Sequence, residues 1–198
     1  LGDICRREGF QTGIEIGVSK GQFAQQMLKR WTNFKKYYLI DLWAKQDSTY
    51  KDVSNLDAQG FNEILQETHS RLDKYGDKVV FVKDWSNKAV TRFEDNSIDF
   101  VYVDARHDYK GVLEDLRLYW PKVRQGGILA GHDYLNQEDL KKVDPRMDWT
   151  VNSDGSRSPD GRACRAAAED FSQEVGRQLT ITYKDETNTN FPTYYMRK

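Results

Sequence analysis

The sequence predicts a single α/β domain with a mostly parallel sheet, and three observations carry that prediction. Short apolar runs alternate with stretches of helical periodicity, as βαβ units require. The connections between successive runs are long enough to hold a crossover helix. The runs also end in glycine or charged residues, and parallel strands bring such tips to one edge of a sheet, where ligands bind.

Taken in order, residues 2–9 suit a short helix, and TGIEIG at 12–17 is a short apolar strand. From Gly21 a helix is predicted, with Phe23, Met27, Leu28 and Trp31 at helical spacing. YYLIDLW at 37–43 is the second strand. After a polar loop, a helix over 57–74 carries Phe61, Ile64, Leu65, Thr68 and Leu72 on one side. KVVFVKD at 78–84 is the third strand, with a helix following at 86–93. The fourth and fifth strands are expected at 98–104 and 126–131, separated by a helix at 109–119. A final helix at 162–176 precedes LTITYKD at 179–185 and FPTYYMRK at 191–198, which a short Asn/Thr-rich connector would join as an antiparallel hairpin. Residues 135–161 break the rhythm, being polar with turn signals at Pro145, Asp154-Gly155 and Pro159-Asp160-Gly161. A connection of that length inside a compact domain is usually functional, and a lid-like insert beside the fifth strand's tip is expected.

At 198 residues the chain can bury one sizeable core. Its 30 Lys and Arg against 31 Asp and Glu leave a net charge of −1, which gives no case for nucleic acid or an anionic membrane as partner. No apolar run approaches the roughly 20 residues of a membrane helix. With no signal peptide visible, a cytoplasmic location is expected, and the start at Leu1 rather than Met leaves an upstream segment open. Cys5 and Cys164 lack metal-ligand spacing and are expected as free thiols. Trp31, Trp43, Trp85, Trp120 and Trp149 are expected to pack the rim of the core. Tyr194 and Tyr195, read as exposed, leave room for a homodimer.

The first strand closes on Glu15-Ile-Gly17-Val-Ser-Lys-Gly21, where glycines let the backbone turn sharply beside a ligand. The second strand ends in Asp41, a carboxylate placed to accept bonds from both hydroxyls of an adenosine ribose. At the third tip, Asp84-Trp85-Ser86 offers Asp84 or Ser86 to an adenine edge. A pyrophosphate cofactor would favour Gly-x-Gly-x-x-Gly, which this loop lacks. Glu15 would repel phosphate and suits instead a cationic ligand, or holds the loop by backbone bonds. S-adenosylmethionine has no phosphate and carries an ammonium and a sulfonium.

On these residues the chain resembles the class I S-adenosylmethionine-dependent methyltransferases, and within them the methyltransferase domain 24 group. The resemblance is carried by Glu15-Ile-Gly-Val-x-x-Gly21, Asp41, Val103-Asp104-Ala-Arg-His107-Asp-Tyr109, Trp120-Pro-Lys and Gly126-Gly-Ile-Leu-Ala-Gly-His-Asp-Tyr134, with the ending Pro192-Thr-Tyr-Tyr-Met-Arg-Lys. It implies a Rossmann-like sandwich of seven strands in the order 3-2-1-4-5-7-6, the seventh antiparallel, with helices on both faces. It also implies S-adenosylmethionine contacts from Glu15, Gly17, Val18, Gly21, Asp41, Leu42, Asp84, Trp85, Ser86 and Asp104.

The fourth and fifth tips, Asp104-Ala-Arg-His107-Asp108 and His132-Asp133, should meet at one site. In metal-dependent O-methyltransferases resembling this chain, acids at those tips hold a divalent ion such as Mg²⁺ or Mn²⁺. Here Asp104, His132 and Asp133 match those positions, with His132 standing where an acid is usual; imidazole suits Mn²⁺ better than Mg²⁺. The Asp-x-x-His spacing of Asp104 and His107 also resembles macrolide-sugar O-methyltransferases, making His107 a candidate base, oriented by Asp108 or Asp104. The expected reaction is O-methylation of a small hydroxylated acceptor, with His107, a metal, or both activating the oxygen. Two other classes stay open: a cofactor-binding module without turnover, which the His132 departure favours, and a nicotinamide-dependent oxidoreductase, which the missing glycine fingerprint disfavours.

Overall fold

The computed structural model describes residues 1–198 except 48, 49, 51, 53 and 183–190. Seven strands form one sheet in the order β3-β2-β1-β4-β5-β7-β6, as the resemblance implies. The strands are β1 (Thr12–Ile16), β2 (Lys36–Asp41), β3 (Val79–Lys83), β4 (Ile98–Val103), β5 (Val123–Gly131), β6 (Thr180–Thr182) and β7 (Thr193–Arg197). The first five pair in parallel, while β7 runs antiparallel to both β5 and β6. The helices are α1 (Gly2–Arg7), α2 (Gln22–Arg30), α3 (Ala58–Leu72), α4 (Ser86–Ala89), α5 (Tyr109–Tyr119), α6 (Gln137–Val143) and α7 (Cys164–Glu174).

Successive side chains on a strand point to opposite faces, and that period of two splits the core. Ile14, Ile16, Val101, Val103 and Leu129 pack on one face with residues of α5 and α7. Phe100, Tyr102, Ile128 and Ala130 pack on the other with Met27, Leu28 and Trp31. Each fully buried large apolar side chain contributes about 1.5–3 kcal/mol, so the sheet is held from both sides. Capping is local: the Asp57 carboxylate accepts from the Gly60 N–H at the start of α3, and Asp108 does the same for Gly111 at the start of α5.

Four expectations change. The fifth strand begins at Val123, earlier than read, because its first residues pair beside Ile98. The 135–161 insert is not merely polar loop: α6 lies within it, and Leu140, Trp149 and Asn152 are buried. Tyr194, read as exposed, is 1 % exposed, with its ring against Gly131, where a Cβ would collide. Trp85 is the exception among tryptophans expected to pack, at 41 % exposed. The distal part of the 179–185 strand lies outside the described residues. Both cysteines are free and buried. Among the described residues no helix is long and apolar enough to cross a membrane.

Candidate functional site

The ladder bonds continue one residue past the strands and level their tips. Gly17 N–H donates to Ile40 O (2.9 Å), Asp84 N–H to Asp41 O (3.2 Å), Asp104 N–H to Ile16 O (2.7 Å) and His132 N–H to Val103 O (3.1 Å). Below these tips lies a cavity of about 550 Å³, and Glu15, Gly17, Val18, Asp41, Leu42, Asp84, Trp85, Ser86, Asp104 and His107 all line it. Gly21 does not. Its φ is +69°, and a Cβ there would meet Thr68 of α3 at 2.9 Å, so it lets α2 and α3 approach. Gly17 has φ +80° and lies against the Asp104 backbone, where a Cβ would stand 2.6 Å from Ala105 Cα. Only glycine fits there.

Asp41 shapes the glycine loop directly. Its Oδ2 accepts from Val18 N–H (2.8 Å) and Ser19 N–H (2.9 Å), and its Oδ1 from Trp43 N–H (2.8 Å). Both lone pairs of Oδ2 are thereby taken, and Oδ1 keeps one for a ligand hydroxyl. Glu15 is 1 % exposed and accepts from the Tyr37 hydroxyl at 3.0 Å. Burial raises its pKa well above the usual carboxylate value, against the opposing Tyr37 bond. The Tyr37 bond ties Glu15 to β2 rather than to the backbone of the glycine loop, and its side chain borders the cavity.

At the other end of the cavity, His107 is gripped on both ring nitrogens. Nδ1 lies 2.9 Å from Asp52 Oδ2, and Nε2 lies 3.0 Å from Asp133 Oδ2 and 3.9 Å from Asp104 Oδ1. His132 Nδ1 is 2.9 Å from Asp133 Oδ1 and 3.9 Å from Asp104 Oδ1. Trp149, from the insert, packs its ring against that of His107 (centroids 4.6 Å apart, planes tilted by 33°) and donates its Nε1–H to Asp52 Oδ2 (3.0 Å). Asp133 has φ +58°, a strained conformation for a non-glycine residue at a strand tip.

These contacts set the charges. Burial alone would lower the His107 pKa, but Tyr50 and the carboxylates of Asp133 and Asp104 outweigh it and raise it well above its usual value. Burial alone would raise Asp52 and Asp133, yet the charge and bonds of His107 hold both well below the carboxylate range. Asp104 goes the other way: burial, helped by the charge of Asp133, lifts it to about 6 despite the His107 and His132 rings, each 3.9 Å away. The ligand atoms of Asp104, His107 and Asp133 lie within 4.8 Å of one another. His132 stands beside this group on Asp133. An imidazole and two carboxylates suit a borderline divalent ion such as Mn²⁺, and the outer Asp52–His107 bond is the kind that orients a metal-bound imidazole.

Asp52 and Trp149 were not found in the sequence. Neither sits at a strand tip, and each is about 40 or more residues from the His it contacts, so no spacing signals them. Asp108 does not orient His107: it caps α5 and accepts from Arg106 Nε at 2.6 Å.

A family model described as a methyltransferase domain matches residues 14–134, more than half of the chain. The chain belongs to the methyltransferase 24 family. This methyltransferase domain is 26 % identical over 144 residues to an uncharacterized protein of Acanthamoeba polyphaga mimivirus, with 71 % of this chain and 59 % of that protein covered. The chain therefore spans about three fifths of the length of that curated relative. Among solved structures, an O-methyltransferase of Bacillus cereus in complex with S-adenosylhomocysteine superposes with a TM-score of 0.62 at 12 % identity, covering 100 % of this chain and 78 % of that one. An O-methyltransferase family protein of Burkholderia thailandensis gives 0.64 at 14 % identity, covering 100 % and 53 %. Spermidine synthase of Thermotoga maritima gives 0.56 at 12 % identity, covering 96 % and 53 %, so the fold is shared with other chemistries.

Proposed function

We propose that this domain transfers the methyl group of S-adenosylmethionine to a hydroxyl oxygen of a small polyhydroxylated acceptor. The observation that carries this reading is the single cavity lined both by Gly17 and Asp41 and by Asp104 and His107. Asp41 would hold the ribose hydroxyls and the Gly17 turn would leave room for the methionine part, with Asp104 and His107 lining the same cavity on the acceptor's side.

In the transfer, an oxygen lone pair attacks the methyl carbon in line, the carbon–sulfur bond breaks, and S-adenosylhomocysteine leaves as a neutral thioether. The acceptor's proton goes to Asp104, whose carboxyl at about 6 is ionised at neutral pH yet basic enough to share it. His107, charged and held between Asp52 and Asp133, positions Asp104 and stabilises the carboxylates around the acceptor. A divalent ion held by Asp104, His107 Nε2 and Asp133 would supply positive charge beside the acceptor oxygen and lower its pKa. Such an ion competes with the proton for His107 Nε2. Holding the two reactants in line supplies most of the acceleration, since effective molarities in well-oriented systems reach about 10⁵ M or more. Trp149 and Phe191, whose rings are 6.1 Å apart, flank His107 and His132 and narrow water's approach.

The test uses methyl-labelled S-adenosylmethionine with catechols, sugars and amines, with and without Mn²⁺ or Mg²⁺, read by mass spectrometry. An O-methylated product that falls about 100-fold in Asp104→Asn supports the reading. Methylation of amines alone, or cofactor binding with no product, overturns it in favour of N-transfer or a binding module.

A further inference from the structure

One buried acid in the cavity wall has no task in this chemistry. Asp115, on the inner side of α5, is 4 % exposed, lines the cavity and is hydrogen-bonded to Ser86 at the start of α4. Its neighbours place it at the β3 end, since Ser86 follows the β3 tip and its carbonyl accepts from the Tyr119 hydroxyl of α5 at 2.8 Å. The β3 and β4 tips are three strands apart, about 14 Å at ~4.8 Å per strand. A ligand anchored by its ribose at β2, with its reactive methyl at β4, must send its base to β3.

We infer that the carboxyl group of Asp115, together with Ser86, recognises the amino edge of the cofactor's adenine. This rests on the S-adenosylmethionine reading above. Adenine presents a donor at its exocyclic amino group beside an acceptor at N1. A carboxyl group that keeps its proton presents the complementary pair, an acceptor beside a donor. The surroundings favour that form: burial, with the charges of Glu114 and Asp108 adding, pushes Asp115 up to about 7, against the Ser86 bond and Arg106. A polar group this deeply buried is costly unless it is bonded, so a ligand lacking the amino group should bind worse.

The probes are S-adenosylhomocysteine and its 6-deamino counterpart, which has hydrogen in place of the amino group, titrated calorimetrically into the intact chain. The wild type should prefer S-adenosylhomocysteine by about tenfold or more. Asp115→Ala should bind the two nearly equally. Asp115→Asn should keep the preference, because a carboxamide offers the same donor and acceptor pair, whereas a residue that merely packs α5 on α4 would move both affinities together. Because each ratio is taken on one sample, partial unfolding of a variant cancels. A preference retained in Asp115→Ala, or lost in Asp115→Asn, overturns the inference alone. Failure of the wild type to bind S-adenosylhomocysteine overturns it together with the cofactor reading.

Discussion

The two ends of the cavity are built by different rules. The glycine-loop end is made of backbone: Gly17 turns against the Asp104 carbonyl, and one carboxylate, Asp41, collects the N–H groups of Val18, Ser19 and Trp43. The His107 end is made of side chains from four segments, with Asp52 before α3, Asp104 and His107 after β4, Asp133 after β5 and Trp149 in the insert. The glycine-loop end admits no added Cβ at Gly17 and depends on one side chain, Asp41. A side-chain site can be retuned one residue at a time. Under the proposed function, that difference would leave the cofactor end fixed while the acceptor end is retuned.

Breaking the backbone end should have the largest effect. Gly17→Ala places a Cβ against Ala105 Cα in a left-handed conformation, and should cost at least about 2 kcal/mol of stability. Its affinity for S-adenosylhomocysteine should drop about 100-fold or more, which titration and thermal melting would read together. A variant that binds normally would show that the loop is not built around this glycine.

The side-chain end should respond more narrowly. Asp52→Asn takes the carboxylate away from His107 and Trp149, and should lower turnover about 10–100-fold while S-adenosylhomocysteine affinity stays within a few-fold. An equal loss in both would mean that Asp52 holds the fold rather than the His107 ring.

A smaller effect separates the two ends by pH. Asp115 sits at about 7 when folded, against about 3.9 in an unfolded chain, so the folded state binds the extra proton. Stability from this group is present below pH 4 and is lost as pH rises through 7. Urea unfolding should therefore show Asp115→Asn gaining on the wild type between pH 5 and pH 8, by on the order of 1–2 kcal/mol. Glu15, also raised, slopes the same way in both proteins and cancels in the comparison. No pH-dependent difference would mean that Asp115 is ionised when folded.

The same contrast decides what was legible in the sequence. Strand tips are local events, so the apolar runs and their terminal residues located Gly17, Asp41, Ser86, Asp104 and His107, and all of them line one cavity. The sheet order followed from the resemblance and is the order observed. What stayed hidden depends on loops crossing in space: Asp52 and Trp149 reach His107 from segments whose composition resembles any solvated connection. Tyr194 was misread because a chain-terminal aromatic looks exposed until the small residue it covers, Gly131, is known. Asp115 lies on a helix whose apolar periodicity hides a buried acid among core residues.

The most direct test of the account is calorimetric titration of S-adenosylhomocysteine into the wild type and Asp41→Ala. The account predicts micromolar binding to the wild type, weakened at least about tenfold when the carboxylate that collects the loop N–H groups is removed. No binding to the wild type, or equal binding by both, would contradict it.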